Sequence, residues 1–434
     1  MHQDSSPLGT PPVAITRRDF AISHMPAMVA AASGVALGGF PGAPSWAGLP
    51  QAENDASCAG TILGTAGAAH KHFSANYAEA RNKFYTACAD TRAVQRSYEN
   101  PLPGPDGLRL TSDVARFGPA GAKKLLILIS GVHGFEGLAG SGCQTNWIAE
   151  GLHNDLPEGV AVLIIHAINC YGVAHVTYAT EGNVDLNQNF LDFDAELPAN
   201  PGYEEIHAAL NCPELAGPLR DEANAFLAEY RATKGERAFF KALWLGQHTH
   251  PDGISFSGTE PTWSHLTTLE ILGEFAVDVE HVCVLDTHTG AGTYGRGTVL
   301  STAEAGEVAL DRARRWFGPS LQTPWAIKNE ESSLVPPFPK PAGYMHTGFV
   351  KALPHADVVG TTIELETFDN AQLMQAWLAN RWLTFYGDLE SDQGREIRRK
   401  ILASFYPGTE DWTGMIWPRW KQVVTQAICG LGSL

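Results

Sequence analysis

Residues 124–137, KLLILISGVHGFEG, restrict the fold of this chain more than any other stretch. The apolar run 125–129 is short, rich in isoleucine and closed off by Gly131, the pattern of a central strand in a sheet. The turn that follows carries His133 and Glu136. In an open α/β sheet, the crevice for a ligand lies at the carboxyl ends of the strands. A histidine and a carboxylate three residues apart on such a turn can aim at one point, as two ligands of a single zinc ion must. The flanking glycines let the backbone bend and approach closely. A third protein ligand then has to come from another part of the chain.

The 434 residues are 44% hydrophobic and 18% charged, a composition for a folded domain with a large core. A formal net charge of -17 repels a phosphate backbone and argues against nucleic acid as a partner. Residues 1–47 are different in kind. Thr16-Arg17-Arg18-Asp19-Phe20 resembles a twin-arginine export signal, and a weakly apolar run and the small-residue site Ser45-Trp46-Ala47 follow it in order. That run is too short and too rich in glycine and alanine for a comfortable membrane span. The expectation is a periplasmic or secreted protein with 48–434 as a single mature domain. Seven cysteines without CxxC spacing suggest neither a zinc ribbon nor a dense disulfide framework, although an export compartment permits a bridge such as Cys58–Cys88.

Periodicity predicts one or two amphipathic helices over 66–93, an edge strand over 108–117 and the central strand over 124–129. A helix over 144–151, a buried strand over 160–168 and a long polar loop over 169–190 follow. Helices are expected over 215–244 and 262–275, and a third buried strand over 281–287. A short strand over 299–303, a helix over 308–317 and a proline-rich loop over 336–341 lead to a fourth buried strand, 358–365. Helices near 372–386, 394–405 and 420–428 complete the chain. Strands alternating with helices predict an α/β domain, a mainly parallel mixed sheet with helices on both faces.

The third buried strand runs into Asp286-Thr287-His288-Thr289-Gly290, and the fourth into Glu364, Leu365 and Glu366. His288 completes a His2Glu set with His133 and Glu136 and leaves one position open, as a catalytic zinc requires. Among 16 histidines only His133 has an acidic residue three positions later. One HxxE is a weak signal, and the set gains its force from lying at the ends of strands with Glu364 alongside. The spacing is not HExxH, which excludes a helix-borne protease site, and no GxSxG elbow exists for a serine hydrolase.

GVHGFEG, NVDLNQNF, DTHTG and IELET resemble, in that order, the four signature segments of the carboxypeptidase A-like zinc metallocarboxypeptidases. The resemblance is strongest to a bacterial branch that reads SGTHGVEGFAGS, NVDLNRNF, DLHTGLG and EFGT, and it spans nearly the whole of 48–434. It implies a carboxypeptidase A-like fold with His133, Glu136 and His288 as ligands of Zn2+. Glu364 then matches the glutamate that takes a proton from water and passes it to the leaving amine. Asp185 matches the aspartate that bonds the far nitrogen of a histidine ligand. Gln188 stands where relatives clamp a terminal carboxylate with arginine, and Thr177 and Tyr178 stand where the branch has paired arginines. Glu366 replaces a glycine and either crowds the pocket or caps the strand. The expected activity is hydrolysis of peptide or other amide bonds in a substrate that lacks the terminal carboxylate or is anchored through Asn187, Gln188 or Arg296. An N-acyl amino acid deacylase is the runner-up, and a zinc-binding relative without catalysis the third reading.

Overall fold

Eight strands form one mixed sheet in a computed structural model that describes residues 66–325 and 340–434. The expected export signal over 1–47, Cys58 and residues 336–339 of the proline-rich loop lie outside the described residues. The strands are β1 (Val94–Glu99), β2 (Thr111–Phe117), β3 (Lys124–Ser130), β4 (Val160–His166), β5 (His281–Gly290), β6 (Gly297–Ser301), β7 (Leu321–Gln322) and β8 (Asp357–Glu366), in the order β1-β2-β4-β3-β5-β8-β6-β7. The four central strands β4, β3, β5 and β8 are parallel. Antiparallel pairing begins at β2 on one side and at β6 on the other.

The apolar runs explain the centre. Leu125 to Ile129 and Ala161 to Ile165 are fully buried, because both faces of the sheet are covered. Leu126, Leu128, Val162 and Ile164 pack against helices Tyr77–Ala89, Gly137–Ala149 and Glu410–Gly432. Leu125, Ile127, Leu163 and Ile165 pack against Trp263–Phe275 and Met345–Ala352. Helices therefore cover both faces, as the sequence predicts.

Several elements differ from expectation. The strand expected over 108–117 starts at Thr111 and lies inside the sheet, and the edge beside it is β1, whose sequence VQRSYE is too polar to read as a strand. The helix expected from 144 begins at Gly137, because close packing demands its glycines. A Cβ on Gly140 would lie 2.7 Å from the Ser130 Cβ, and one on Gly142 2.2 Å from the Phe73 ring. The helix expected over 215–244 is two, Pro218–Lys234 and Glu236–Trp244, broken at Gly235 with φ +88°. The last helix starts well before 420 and passes through Pro418. Cys88 carries a buried free thiol, so no Cys58–Cys88 bridge forms, and Cys429 is disulfide-bonded instead. Among the described residues, no helix is long and apolar enough to cross a membrane.

Candidate metal centre

The chain leaves β3 through Gly131, at φ +73°, where a Cβ would come within 2.9 Å of Val173. It then presses against the segment after β4. The Ile168 and Asn169 amides donate to the Ser130 and Gly131 carbonyls at 3.0 Å, and the Gly134 amide donates to the Tyr178 carbonyl at 3.0 Å. A side chain at Gly134 would meet the Gly172 carbonyl carbon at 2.0 Å. This folding back leaves His133 extended, just before the single turn Gly134–Glu136, and puts the two functional side chains together.

His133 Nδ1 lies 3.1 Å from Glu136 Oε1. From the neighbouring strand, His288 Nδ1 lies 3.1 Å from Glu136 Oε2 and 3.1 Å from His133 Nδ1. All three side chains are buried. Two imidazole nitrogens and a carboxylate at these separations match three ligands that each sit about 2.0–2.2 Å from one zinc ion. The Thr289 amide donates to Glu136 Oε2 at 2.9 Å and fixes the carboxylate. In the register of the parallel pair, His288 stands opposite Glu364, so both side chains emerge on one face of the sheet.

Each histidine turns its other nitrogen to an aspartate. His133 Nε2 lies 3.3 Å from Asp185 Oδ1, and His288 Nε2 lies 2.6 Å from Asp286 Oδ2. Sequence reasoning missed Asp286. Its signal was D-x-H on one strand, a spacing that places both side chains on the same face. Asp185 also accepts from the Asn187 amide at 3.0 Å, the Tyr178 hydroxyl at 3.2 Å and Gln188 Nε2 at 2.8 Å. The Tyr178 ring stacks on His133, with 4.0 Å between centroids and 20° between planes. Neutral Tyr178 and Gln188, at positions where the resemblance leads one to look for arginine, thus hold the aspartate behind His133.

The cluster is built for positive charge. Burial opposes a charged imidazole at His133, yet Glu136 and Asp185 outweigh it and carry its pKa up to about 9. At His288 burial is likewise outweighed, by Asp286 and Glu136, and its pKa stands well above the usual range. Burial works to raise Glu136, but the two histidines bring it down to about 2. Glu364 shows the opposite balance, because burial dominates and pushes it up to about 7.

The remaining site residues divide by their partners. Gln188 is buried, and its Oε1 accepts from Ser257 Oγ at 3.3 Å, so both ends of its amide are engaged. Asn187 Oδ1 is buried with no hydrogen-bond partner among the described residues. Glu366 accepts from the Thr293 amide at 2.6 Å and from Thr298 Oγ1 at 2.5 Å, and Arg296 Nε lies 3.6 Å away. Of the two alternatives for Glu366, these contacts are those of a cap on the loop that joins β5 to β6.

Residues 73–419 match a family described as "Protein of unknown function (DUF2817)". No curated protein matches the chain. Similar solved structures include carboxypeptidase A from Helicoverpa armigera, at 14% identity over 76% of this chain and 74% of that chain, with a TM-score of 0.38. Bovine thrombin-activatable fibrinolysis inhibitor, in complex with tick carboxypeptidase inhibitor, is similar at 10% identity over 77% and 97%, with a TM-score of 0.38. Succinylglutamate desuccinylase from Chromobacterium violaceum is similar at 12% identity over 74% and 78%, with a TM-score of 0.29.

Proposed function

Because the chain belongs to the DUF2817 family of proteins of unknown function, we propose an activity from the chemistry of its site: metal-dependent hydrolysis of peptide or other amide bonds. His133, Glu136 and His288 would hold the ion, and two nitrogens with one carboxylate suit Zn2+. Such an ion supplies Lewis acidity toward a carbonyl oxygen and toward water. Glu364 carries the proton. It accepts one from the attacking water as the C–O bond forms, and returns it to the nitrogen as the C–N bond breaks. A carboxyl that titrates at about 7 in the metal-free chain is suited to exchange a proton in both directions near neutral pH. Asp185 and Asp286 hold the Nε2 side of the two histidines and so would leave each Nδ1 free to bind the ion.

The observation that carries this reading is the 3.1 Å triangle of His133, Glu136 and His288 with Glu364 opposite His288 in the register. Glu364→Gln should abolish turnover of amide substrates while the protein still binds its metal. Undiminished turnover in that variant overturns the assignment. The positions that clamp a terminal carboxylate in relatives offer no free cation here, since Gln188 and Tyr178 are engaged by Asp185 and Arg296 lies beside Glu366. This favours substrates with a neutral group on the leaving side, contacted through Asn187. Amidated peptides should therefore be cleaved faster than the same peptides with free carboxyl ends. If N-acyl amino acids instead turn over fastest, the deacylase reading replaces the peptidase one. From the Arg17-Arg18 pair we further infer that the protein is exported, and replacing both with lysine should then leave it in the cytoplasm.

A further inference from the structure

A second cluster of metal-ligating side chains lies apart from the one above. Helix Pro201–Leu210 carries His207, and the turn after helix Glu236–Trp244 carries His250 and Asp252. One ligand atom from each of these three side chains lies within 4.8 Å of the other two. His207 Nε2 is 3.8 Å from Asp252 Oδ1. That gap is too long for a hydrogen bond, but two ligands at about 2.0–2.2 Å from one ion lie roughly 3–3.8 Å apart.

The partners around the cluster engage Asp252 through Oδ2 and leave its Oδ1 toward His207. Asn211 Nδ2 lies 3.4 Å from His207 Nε2, a contact that requires the nitrogen to accept. Asp252 uses its other oxygen, Oδ2, for Asn211 and for Arg381 Nη2 at 3.3 Å. Asp252 Oδ1 then faces His207 Nε2, whose one lone pair is held only by the long contact to Asn211, which an incoming cation would displace. The far side is prepared as well, because Glu204 Oε2 binds His250 Nε2 at 2.8 Å and accepts from Thr249 through Oε1 at 2.6 Å. A carboxylate on one imidazole nitrogen is the usual support for a metal-ligating histidine.

We propose that His207, His250 and Asp252 form a second site for a divalent cation of the zinc class, separate from the His133 centre and not dependent on the catalytic reading. The three side chains are partly exposed, with 15% of His207, 27% of His250 and 45% of Asp252 open to solvent, which gives an entry path and room for a water ligand. The rings of His207 and His250 lie face to face, 3.6 Å between centroids and 17° between planes. An ion lies in the plane of each imidazole that binds it, so one ring turns out of the stack on loading, a rotation about a broad torsion. The site staples the turn that supports the first centre. Asn183 Nδ2 donates to the Pro251 and Gly253 carbonyls at 2.8 and 2.9 Å, and the Asp185 amide donates to the Phe256 carbonyl at 2.7 Å. The cation would therefore brace the loop whose aspartate orients His133.

The test is metal stoichiometry on the full chain, stripped with chelator and titrated with Zn2+ alone. Two equivalents should bind to the unchanged protein, one to His207→Ala, one to His133→Ala and none to the double variant. His250→Gln, a milder change, should also drop to one, so the result does not hang on how well the alanine variant folds. One equivalent in the unchanged protein that persists in His207→Ala, or two retained in both His207→Ala and His250→Gln, overturns the proposal and leaves only a stacked pair of imidazoles. Loss of the His133 site alone leaves this inference standing while it removes the basis for the hydrolase.

Discussion

The buried imidazoles among the described residues fall into two groups, separated by what faces them. His133 and His288 meet a carboxylate at each ring nitrogen, Glu136 on the inner side and Asp185 or Asp286 on the outer. Their pKa values are raised. His166, His265 and His346 are equally buried but meet a serine hydroxyl or aromatic rings instead. Burial leads at all three and brings each pKa down to about 4. Depth in the fold therefore makes a histidine neutral, and a pair of carboxylates keeps the same residue charged at the same depth.

The largest expected effect tests the first group. At neutral pH both site histidines of the metal-free chain hold a proton that zinc must expel. Affinity should then rise by close to 100-fold per pH unit, with about two protons released per ion, up to a pH of about 9. Chelator competition across that range gives the slope, and calorimetry in buffers of different ionisation enthalpy counts the protons. A slope near zero would mean that the carboxylates do not win over burial, and the contrast between the two groups would vanish.

The second effect has the opposite sign of charge. Unfolded histidine titrates near 6.5, whereas His166, His265 and His346 titrate at about 4 in the fold. Between those values the unfolded state binds more protons, so stability falls as pH drops from 6.5 toward 4 and is unaffected above 6.5. Each residue contributes at most about 3 kcal/mol to that loss. Urea unfolding at pH values on either side of the window should show the decline, and His166→Leu should shrink it. An acid limb that is just as steep in His166→Leu removes that histidine from the second group.

What could be read from the chain follows the same physics. Leu125 to Ile129 and Ala161 to Ile165 lie in strands covered on both faces, so their positions were written in composition alone. β1 was not, because an edge strand in contact with solvent needs no apolar run. The helix start at Gly137 was hidden by glycines that read as a turn and are there for close packing. His133, Glu136 and His288 stood out by residue type and by place at strand ends. The engagement of Gln188 by Ser257, and of Glu366 by the loop after β5, arises between segments far apart in sequence and has no local pattern.

The two outer aspartates sharpen the comparison within the first group. Among the described residues, Asp286 Oδ1 has no hydrogen-bond partner and Oδ2 serves His288 alone. Asp286→Asn should cost about 10–100-fold in zinc affinity with little change in thermal stability. Asp185 receives four donors, so Asp185→Asn sets an amide NH2 against one of them and should lose about 1–3 kcal/mol of stability as well as affinity. Equal stability losses in the two variants would show that the number of donors is not what distinguishes the two supports.

The smallest effect separates the ring of Tyr178 from its hydroxyl. Tyr178→Phe keeps the face that stacks on His133 and removes only the donor to Asp185, which retains the Asn187 amide and Gln188. The cost should be about 1 kcal/mol, with zinc affinity reduced by less than about 10-fold. Tyr178→Leu removes the aromatic contact too and should cost about 0.5–1.5 kcal/mol more. If Tyr178→Phe instead matches Asp185→Asn in lost affinity, the hydroxyl rather than the carboxylate network sets the orientation of His133. A tyrosine would then do at this position what the resemblance assigns to the aspartate.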